Sequence, residues 1–368
     1  MRIALTEIRR RPWRFLRAGA ALVFLVLLLL SLGGLTDGLT LNANAALRAQ
    51  KGDLVVFGAD TKLSFIRSRL DPATVQAVRG VGGATEVADF AVALVGSKAE
   101  DTSATIPAAV LGTDGAVRGI DRPPGPGDAV VDSSYRDDHG MKVGDTLTLG
   151  PAALPVKVVG FVDDTKFLYQ AGVWVSPETW RKVVASYRPD AVLTADEAQA
   201  LVVTAADGSP GAVAALAERI DKATGGATET VTLSEAGLAL PGVSQQASTF
   251  KGIIGITFLV VGLVVAMFFI LLTIEHLPLY GVLKAVGASN GQVATGVVTQ
   301  AVVVAVSSFA GGLLLALLVG RLLSSTTPFA LQTSRMVSVG VGVVVVSVLG
   351  SLVSLRRVVK VDPVSVIG

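Results

Sequence analysis

Gly252-Ile253-Ile254-Gly255-Ile256-Thr257-Phe258-Leu259-Val260-Val261-Gly262-Leu263-Val264-Val265-Ala266-Met267-Phe268-Phe269-Ile270-Leu271-Leu272-Thr273-Ile274 is a run of 23 residues without a charge. A hydrocarbon core of ~30 Å is crossed by ~20 apolar residues rising ~1.5 Å each, so this run is long enough to span one. Three more uncharged runs accompany it: Ala18–Thr36 (19 residues), Ala285–Gly320 (36) and Met336–Leu355 (20). One such run fits a helix buried in a soluble core; four do not. The 36-residue run is too long for one span and is punctuated by Gly287-Ala288-Ser289-Asn290-Gly291, which puts its membrane part at 293–320. The runs predict four transmembrane helices at 18–36, 252–274, 293–320 and 336–355.

The first run competes with a cleaved signal peptide, since a basic leader precedes it and Ala43-Asn44-Ala45 resembles a cleavage site. That site lies well past the apolar segment, and 19 uncharged residues exceed the ~7–15 of a signal core. A span is the better reading.

Only 16% of the 368 residues are charged, against about 25% in an ordinary soluble domain. The absence of cysteine excludes disulfide scaffolds, thiol nucleophiles and Cys-ligated metal centres. A net charge of +2 gives no reason to propose a nucleic-acid partner. That near-neutral total hides two opposite parts. Asp37–Lys251 carries 19 basic and 26 acidic residues (net −7), and the remainder 12 basic and 3 acidic (net +9).

Basic residues flanking spans mark the cytoplasmic side. The leader 1–17 holds Arg2, Arg9, Arg10, Arg11, Arg14 and Arg17 against Glu7, and the tail 356–368 holds Arg356, Arg357 and Lys360 against Asp362. Both termini are therefore expected in the cytoplasm, with segment 37–251 outside, loop 275–292 inside and loop 321–335 outside. The fold class that follows is an integral membrane α-helical protein with four transmembrane helices. A large extracytoplasmic α+β domain is inserted between helices 1 and 2. Within it, Asp53–Phe57, Glu86–Val95, Thr105–Gly112, Ala129–Val131, Asp145–Leu149, Val156–Val162, Val173–Val175 and Ala200–Val203 read as strands. Asp71-Pro72, Ser176-Pro177 and Ser209-Pro210 read as helix starts, each a capping residue followed by proline at the first helical position. The flanks 38–50 and 233–250 read as helical stalks, the second interrupted by Pro241-Gly242.

Catalytic patterns are sparse. There is no G-x-x-x-x-G-K-[ST] phosphate loop, so ATP is not bound by that route. His139 and His276 fall on opposite sides of the membrane in this topology and make no metal pair. Ser248-Thr249-Phe250-Lys251 has the spacing of a Ser–Lys nucleophile but lacks its companion motifs. Asp137-Asp138 and Asp163-Asp164 read as solvated turns. No ionisable residue lies inside a span, which argues against an ion-coupled carrier, because coupling needs a titratable or coordinating group at membrane depth. No metal site, resident cofactor or catalytic residue is expected, and no substrate residue can be nominated.

Two patterns remain. Gly312, Ala316 and Gly320 repeat at i, i+4, i+8, and Ser347 and Ser351 repeat that spacing in the last span. Such small faces let helices approach closely in lipid, within one chain or across a dimer. In the inside loop, Leu279, Val282, Leu283 and Val286 form one stripe of a short helix that opens near Pro278 and closes at Gly287. With Lys284 as its one cation, the stripe suits a groove on a protein partner better than a lipid surface.

Gly281-Val282-Leu283-Lys284-Ala285-Val286-Gly287-Ala288-Ser289 resembles the G-I-L-K-A-L-G-A-S signature of the FtsX/MacB-like permeases of ABC transporters. These are also called type VII systems or mechanotransmitters. Other pieces are similar to the family as well. They are the basic leader, the external 140–149 followed by 156–161, the closing 355–363, and the one-plus-three arrangement of spans. The likeness extends along the whole chain and includes the DevC-like and mycobacterial permeases that carry no ATPase of their own.

The resemblance implies a homodimer in the cell membrane, in contact with membrane lipids and bound to two copies of a separately encoded ABC ATPase that holds the ATP and Mg. The coupling helix would comprise Leu279, Val282, Leu283, Lys284, Val286 and Gly287. The chain itself would not be catalytic. ATP-driven closure would move the spans and external domain to export a lipid, peptide or drug-like substrate. The alternative is an FtsX-like regulator of an extracytoplasmic protein partner such as a cell-wall hydrolase, without transport. One departure concerns the charges the family often carries before the signature. Pro278, Leu279 and Tyr280 stand there, leaving Glu275 as the nearest acid.

Overall fold

The computed structural model describes residues 12–100, 104–275, 286, 289–323 and 327–359. In chain order its elements are α1 (Pro12–Ala49), β1 (Leu54–Gly58), α2 (Pro72–Arg79), β2 (Ala84–Ala99), β3 (Ile106–Thr113), β4 (Asp128–Asp132), α3 (Ser134–His139), β5 (Thr146–Leu149), β6 (Leu154–Val162), β7 (Ala171–Val175), α4 (Pro177–Ala185), β8 (Ala200–Ala205), α5 (Pro210–Ala223), β9 (Thr228–Thr232), α6 (Leu233–Ala239), α7 (Val243–Glu275), α8 (Asn290–Leu322) and α9 (Thr333–Val359). They divide into two units, Met1–Leu39 with Gln246–Gly368, and Thr40–Gln245.

The first unit is built from α1, α7, α8 and α9, whose segments Gly19–Ala49, Val243–Leu271, Ala294–Leu322 and Thr333–Leu352 are each long and apolar enough to cross a membrane. Its interior is apolar: Leu22, Val26, Leu29 and Leu30 of α1 meet Val261, Val265 and Phe269 of α7, Val297, Ala301 and Val304 of α8, and Val339 and Val343 of α9. The outward faces are as apolar as the inward ones. Ile256, Leu259, Leu263 and Met267 run along α7 at 62–67% exposure. Exposing such a row to water costs ~25 cal/mol per Å², a cost that hydrocarbon removes. Helix α8 opens on a capping box, in which Ser289 Oγ accepts from the Gln292 amide and Gln292 Oε1 accepts from the Ser289 amide.

The inserted unit rests on one nine-stranded sheet in the order β3-β7-β4-β6-β5-β2-β8-β1-β9, with β3 also paired to β2. That extra pairing closes β2, β3, β7, β4, β6 and β5 into a six-stranded ring. The 16 residues of β2 make this possible, because they pair in succession with β8, β3 and β5. The other four-strand row, β9-β1-β8-β2, is antiparallel throughout. Together with α2 after β1 and α5 after β8 it forms a split β-α-β unit, into which the ring is inserted between β2 and β8.

Each part has its own core. Leu54 and Val56 of β1 and Leu201 and Val203 of β8 pack on Val75 and Val78 of α2 and Leu216 and Ile220 of α5. The ring encloses Ala108, Val110, Val131, Leu147, Val158 and Val173. There Tyr135 bonds Ser97 at 2.8 Å, and burial raises its phenol well above the usual range. A third core joins Ala43, Ala46 and Leu47 at the end of α1 and Ala236 of α6 to Phe57, Phe90, Phe167 and Trp174. Phe65 is central to it, edge-on to Phe57, Phe90 and Phe167 at 4.8, 5.4 and 5.8 Å.

The three Ser/Asp-Pro starts all open helices. Asp71 accepts from Thr74 N at 2.7 Å and Ser176 from Thr179 N at 3.3 Å, whereas Ser209 makes no side-chain cap. Each strand read from the sequence overlaps an observed one. Strand β9 was not anticipated, because Thr-Glu-Thr-Val-Thr offers one apolar side chain and no alternation.

Candidate functional site

The charges that bound the first and fourth apolar runs meet. Arg335, at the start of α9, reaches Asp37 on α1 through Nη2–Oδ1 at 2.6 Å and Nε–Oδ2 at 3.3 Å. Their side chains are 27% and 9% exposed. Glycines on α1 make the approach possible. A Cβ on Gly33 would lie 3.0 Å from Arg335 Cδ. The segment before α9 settles into the same trough, with the Phe329 ring 2.7 Å from where a Cβ would stand on Gly34 of α1 and on Gly320 of α8. The Ala330 amide donates to the Gly34 carbonyl at 3.0 Å. A Cβ on Gly38 would collide with the Pro328 carbonyl. An ion pair, an aromatic plug and a backbone hydrogen bond thus fasten α1, α8 and α9 at one level.

The small face Gly312, Ala316 and Gly320 is taken up inside the chain. A Cβ on Gly312 would lie 2.5 Å from Val26 Cγ1, Ala316 is fully buried, and Gly320 carries the Phe329 ring. Of the inside-loop stripe, Leu279, Val282, Leu283, Lys284 and Gly287 lie outside the described residues. Val286 sits in a turn, 83% exposed.

Within the inserted unit the polar network centres on Asp132, which is 2% exposed. Its carboxylate accepts from Ser134 N (3.1 Å) and Oγ (2.6 Å) and from Thr165 N (3.1 Å) and Oγ1 (3.0 Å). This holds the loop after β6, where Asp164, Leu168 and Tyr169 take positive φ (54°, 47° and 68°). Non-glycine residues keep such angles only where the surroundings impose them. The loop grips α1: the Ala46 amide donates to the Lys166 carbonyl and the Leu168 amide to the Ala43 carbonyl, both at 2.9 Å, and Arg48 pairs with Asp164 at 3.0 Å. Nothing in the sequence flagged this loop beyond its acidic pair.

The remaining candidates do not assemble. Asp137 pairs with Arg136 at 2.8 Å. His139 stands 6.2 Å from the Tyr135 ring, and His276 lies outside the described residues. Ser248 and Lys251 are exposed on α7. Among the described residues no group of three His, Cys, Asp or Glu could hold a metal. Elsewhere, the Arg69 guanidinium draws the Glu197 carboxyl down to about 2, helped by the Thr194 amide.

Comparison with known families decides what these parts amount to. The model of the MacB-like periplasmic core domain matches residues 20–223, and that of the FtsX-like permease C-terminal region matches residues 251–363. The chain belongs to the FtsX/MacB-like permease family. Four of its helices are long and apolar enough to cross a membrane, and the periplasmic-type domain lies between the first two. Relatives include HrtB permease proteins, whose name assigns them to a hemin transport system. The protein from Staphylococcus haemolyticus is 29% identical over 111 residues, 30% of this chain and 32% of its own length. One from Staphylococcus epidermidis is 25% identical over the same shares. The match thus spans about a third of these curated relatives. Among solved structures, the periplasmic region of MacB from Actinobacillus actinomycetemcomitans is 13% identical at a TM-score of 0.37, covering 53% of this chain and 96% of that one. The extracellular domain of the noncanonic ABC-type transporter YknZ from Gram-positive bacteria is 12% identical at 0.33, covering 49% and 98%.

Proposed function

We propose that this permease is the membrane subunit of an exporter driven by a separately encoded ATPase. Two copies of the chain pair in the cell membrane with two ATPase subunits, which bind ATP and Mg. The Arg-rich ends face the cytoplasm and the inserted domain faces outside, in keeping with the charge asymmetry of the sequence. Leu279, Val282, Leu283, Lys284, Val286 and Gly287 seat against the ATPase, and closure of the ATPase dimer is converted into movement of the outer domain. The observation that carries this reading is α1. It is a single helix from Pro12 to Ala49, with Leu22, Val26, Leu29 and Leu30 in the bundle core and Ala43, Ala46 and Leu47 in a core of the outer domain.

The test is Leu283→Asp, which sets a carboxylate in the apolar stripe. The variant is expected to reach the membrane normally and to retain under a tenth of the wild-type yield of ATPase in pull-down. Wild-type yield would refute the docking assignment. Cargo is addressed by ATPase stimulation in nanodiscs against phospholipids, amphipathic peptides and hemin, the last suggested by the name of the HrtB relatives. Stimulation by an extracytoplasmic protein alone would refute export and leave the regulatory role.

A further inference from the structure

In the inserted domain a cleft of about 400 Å³ opens between the segment Ile66–Arg69, strand β2 and helix α4. Its floor is an interrupted strand edge. Gly96 of β2 lies opposite Pro107 of β3, which has no N–H, so the hydrogen-bonded pairs between these strands are the odd-numbered residues of β2. The even-numbered residues therefore turn their backbone groups to the other side. There Val92 is satisfied by a side chain acting as a strand: its N–H donates to Gln199 Oε1 at 2.6 Å and its carbonyl accepts from Gln199 Nε2 at 3.4 Å. The Gly96 carbonyl accepts from Gly150 N at 2.9 Å. Between them the pairing of β2 with β8 ends at Phe90 and that with β5 begins at Ser97. Leu94, which lines the cleft, is left with an N–H and a carbonyl that find no partner among the described residues.

The walls are equally specific. Trp180, 3% exposed, lines the cleft and has an indole N–H without an acceptor. Leu193 adds apolar surface beside it. At the mouth, Arg69 is held by Glu197, but Arg67 and Arg188 are exposed and have no ion-pair partner among the described residues, with Asp190 as the acid lining the same cleft. A free donor and acceptor on a strand edge, a buried donor, an apolar wall and two free guanidinium groups describe one kind of occupant.

We propose that this cleft binds an extended polypeptide segment bearing a carboxylate. The backbone of that segment pairs with Leu94 as an added rung of sheet. Its apolar side chain lies on Trp180, and its carboxylate sits against Arg67 and Arg188, the bidentate geometry for which guanidinium is suited. The proposal is independent of the direction and cargo of transport, because it concerns the outer domain's own surface.

The experiment uses the full chain in phosphatidylcholine nanodiscs. A phage-displayed pool of random heptapeptides is panned on it, and the most enriched peptide is resynthesised with a fluorescein label. The expected peptide carries Asp or Glu, and a single backbone N-methyl group at one position weakens its binding at least tenfold. Arg67→Glu/Arg188→Glu weakens it at least tenfold with an unchanged melting temperature, since neither side chain has a partner to lose. No enrichment over empty nanodiscs, equal binding to the double variant, or indifference to N-methylation at every position would each overturn the proposal. Binding of dodecanoate in place of any peptide would overturn it too, in favour of an amphiphile site.

Discussion

Asp37→Asn tests whether the pair with Arg335 fastens the bundle or merely decorates its end. Exposed ion pairs contribute about 0–1 kcal/mol, while removing one partner of a buried pair costs about 3–5 kcal/mol. Asp37 is nearly buried and Arg335 about a quarter exposed, so the pair belongs between these limits and nearer the second. Asparagine keeps one oxygen for Arg335, which sets the expected loss at about 2 kcal/mol. Arg335→Gln strands a nearly buried carboxylate and costs about 3 kcal/mol. The double variant removes both charges together and is expected to lose about 2 kcal/mol less than the sum of the singles. Unfolding of the full chain by sodium dodecyl sulfate, followed by the helical circular dichroism band, reports the bundle directly. The coupling should persist in 1 M salt, where the screening length falls to about 3 Å and exposed pairs fade. Singles that add to within about 0.5 kcal/mol, or a coupling abolished by salt, would refute the reasoning.

Three further predictions follow from the same contacts. Gly38→Ala should destabilise the bundle by about 1–3 kcal/mol because the Pro328 backbone must yield, whereas Gly255→Ala, which meets nothing within 4 Å, should be neutral or slightly stabilising; equal effects in the detergent titration would contradict the trough. Asp132→Ala removes the acceptor of four hydrogen bonds and should cost about 3 kcal/mol, with hydrogen exchange accelerating first in 163–170; uniform acceleration would show that the carboxylate does not specifically hold that loop. Glu197 has a folded pKa of about 2, below its unfolded value, so its contribution is complete above ~4.5 and fades as pH falls toward 2. Glu197→Gln should therefore melt below the wild type at pH 7 and alongside it near pH 2, and a gap independent of pH would contradict the Arg69 pairing.

The spans were legible because hydrocarbon excludes charge, a rule that acts residue by residue and needs no knowledge of partners. The same locality made Asp71-Pro72 and Ser176-Pro177 readable, since a cap acts within one helical turn. What stayed hidden depends on distant register. The closed ring requires β2 to exchange one neighbour for another along its length, and nothing in Ala84–Ala99 announces where the exchange falls. Asp37 and Arg335 were visible as the charges that end one apolar run and precede another, both on the expected outer side. Their pairing across 298 positions was not.

Hydropathy also says little about which face of each span is inside, and glycine answers that better. Hydrocarbon tails are as apolar as valine, so the bundle gains little from hiding apolar surface and coheres through close approach. The contact points bear this out. A Cβ on Gly342 of α9 would meet Phe258 of α7 at 2.7 Å, and one on Gly350 would meet the Ala266 amide at 3.1 Å, while one on Gly340, two residues from Gly342, would meet Phe309 of α8 at 3.1 Å. Residues two apart lie on different sides of a helix, so α9 is held from two directions by glycine-to-ring contacts. The exposed apolar row on α7 makes no such contact, and the exposed Gly252 and Gly255 on that helix meet nothing within 4 Å. In these spans, shape rather than hydrophobicity distinguishes the inward face from the outward one.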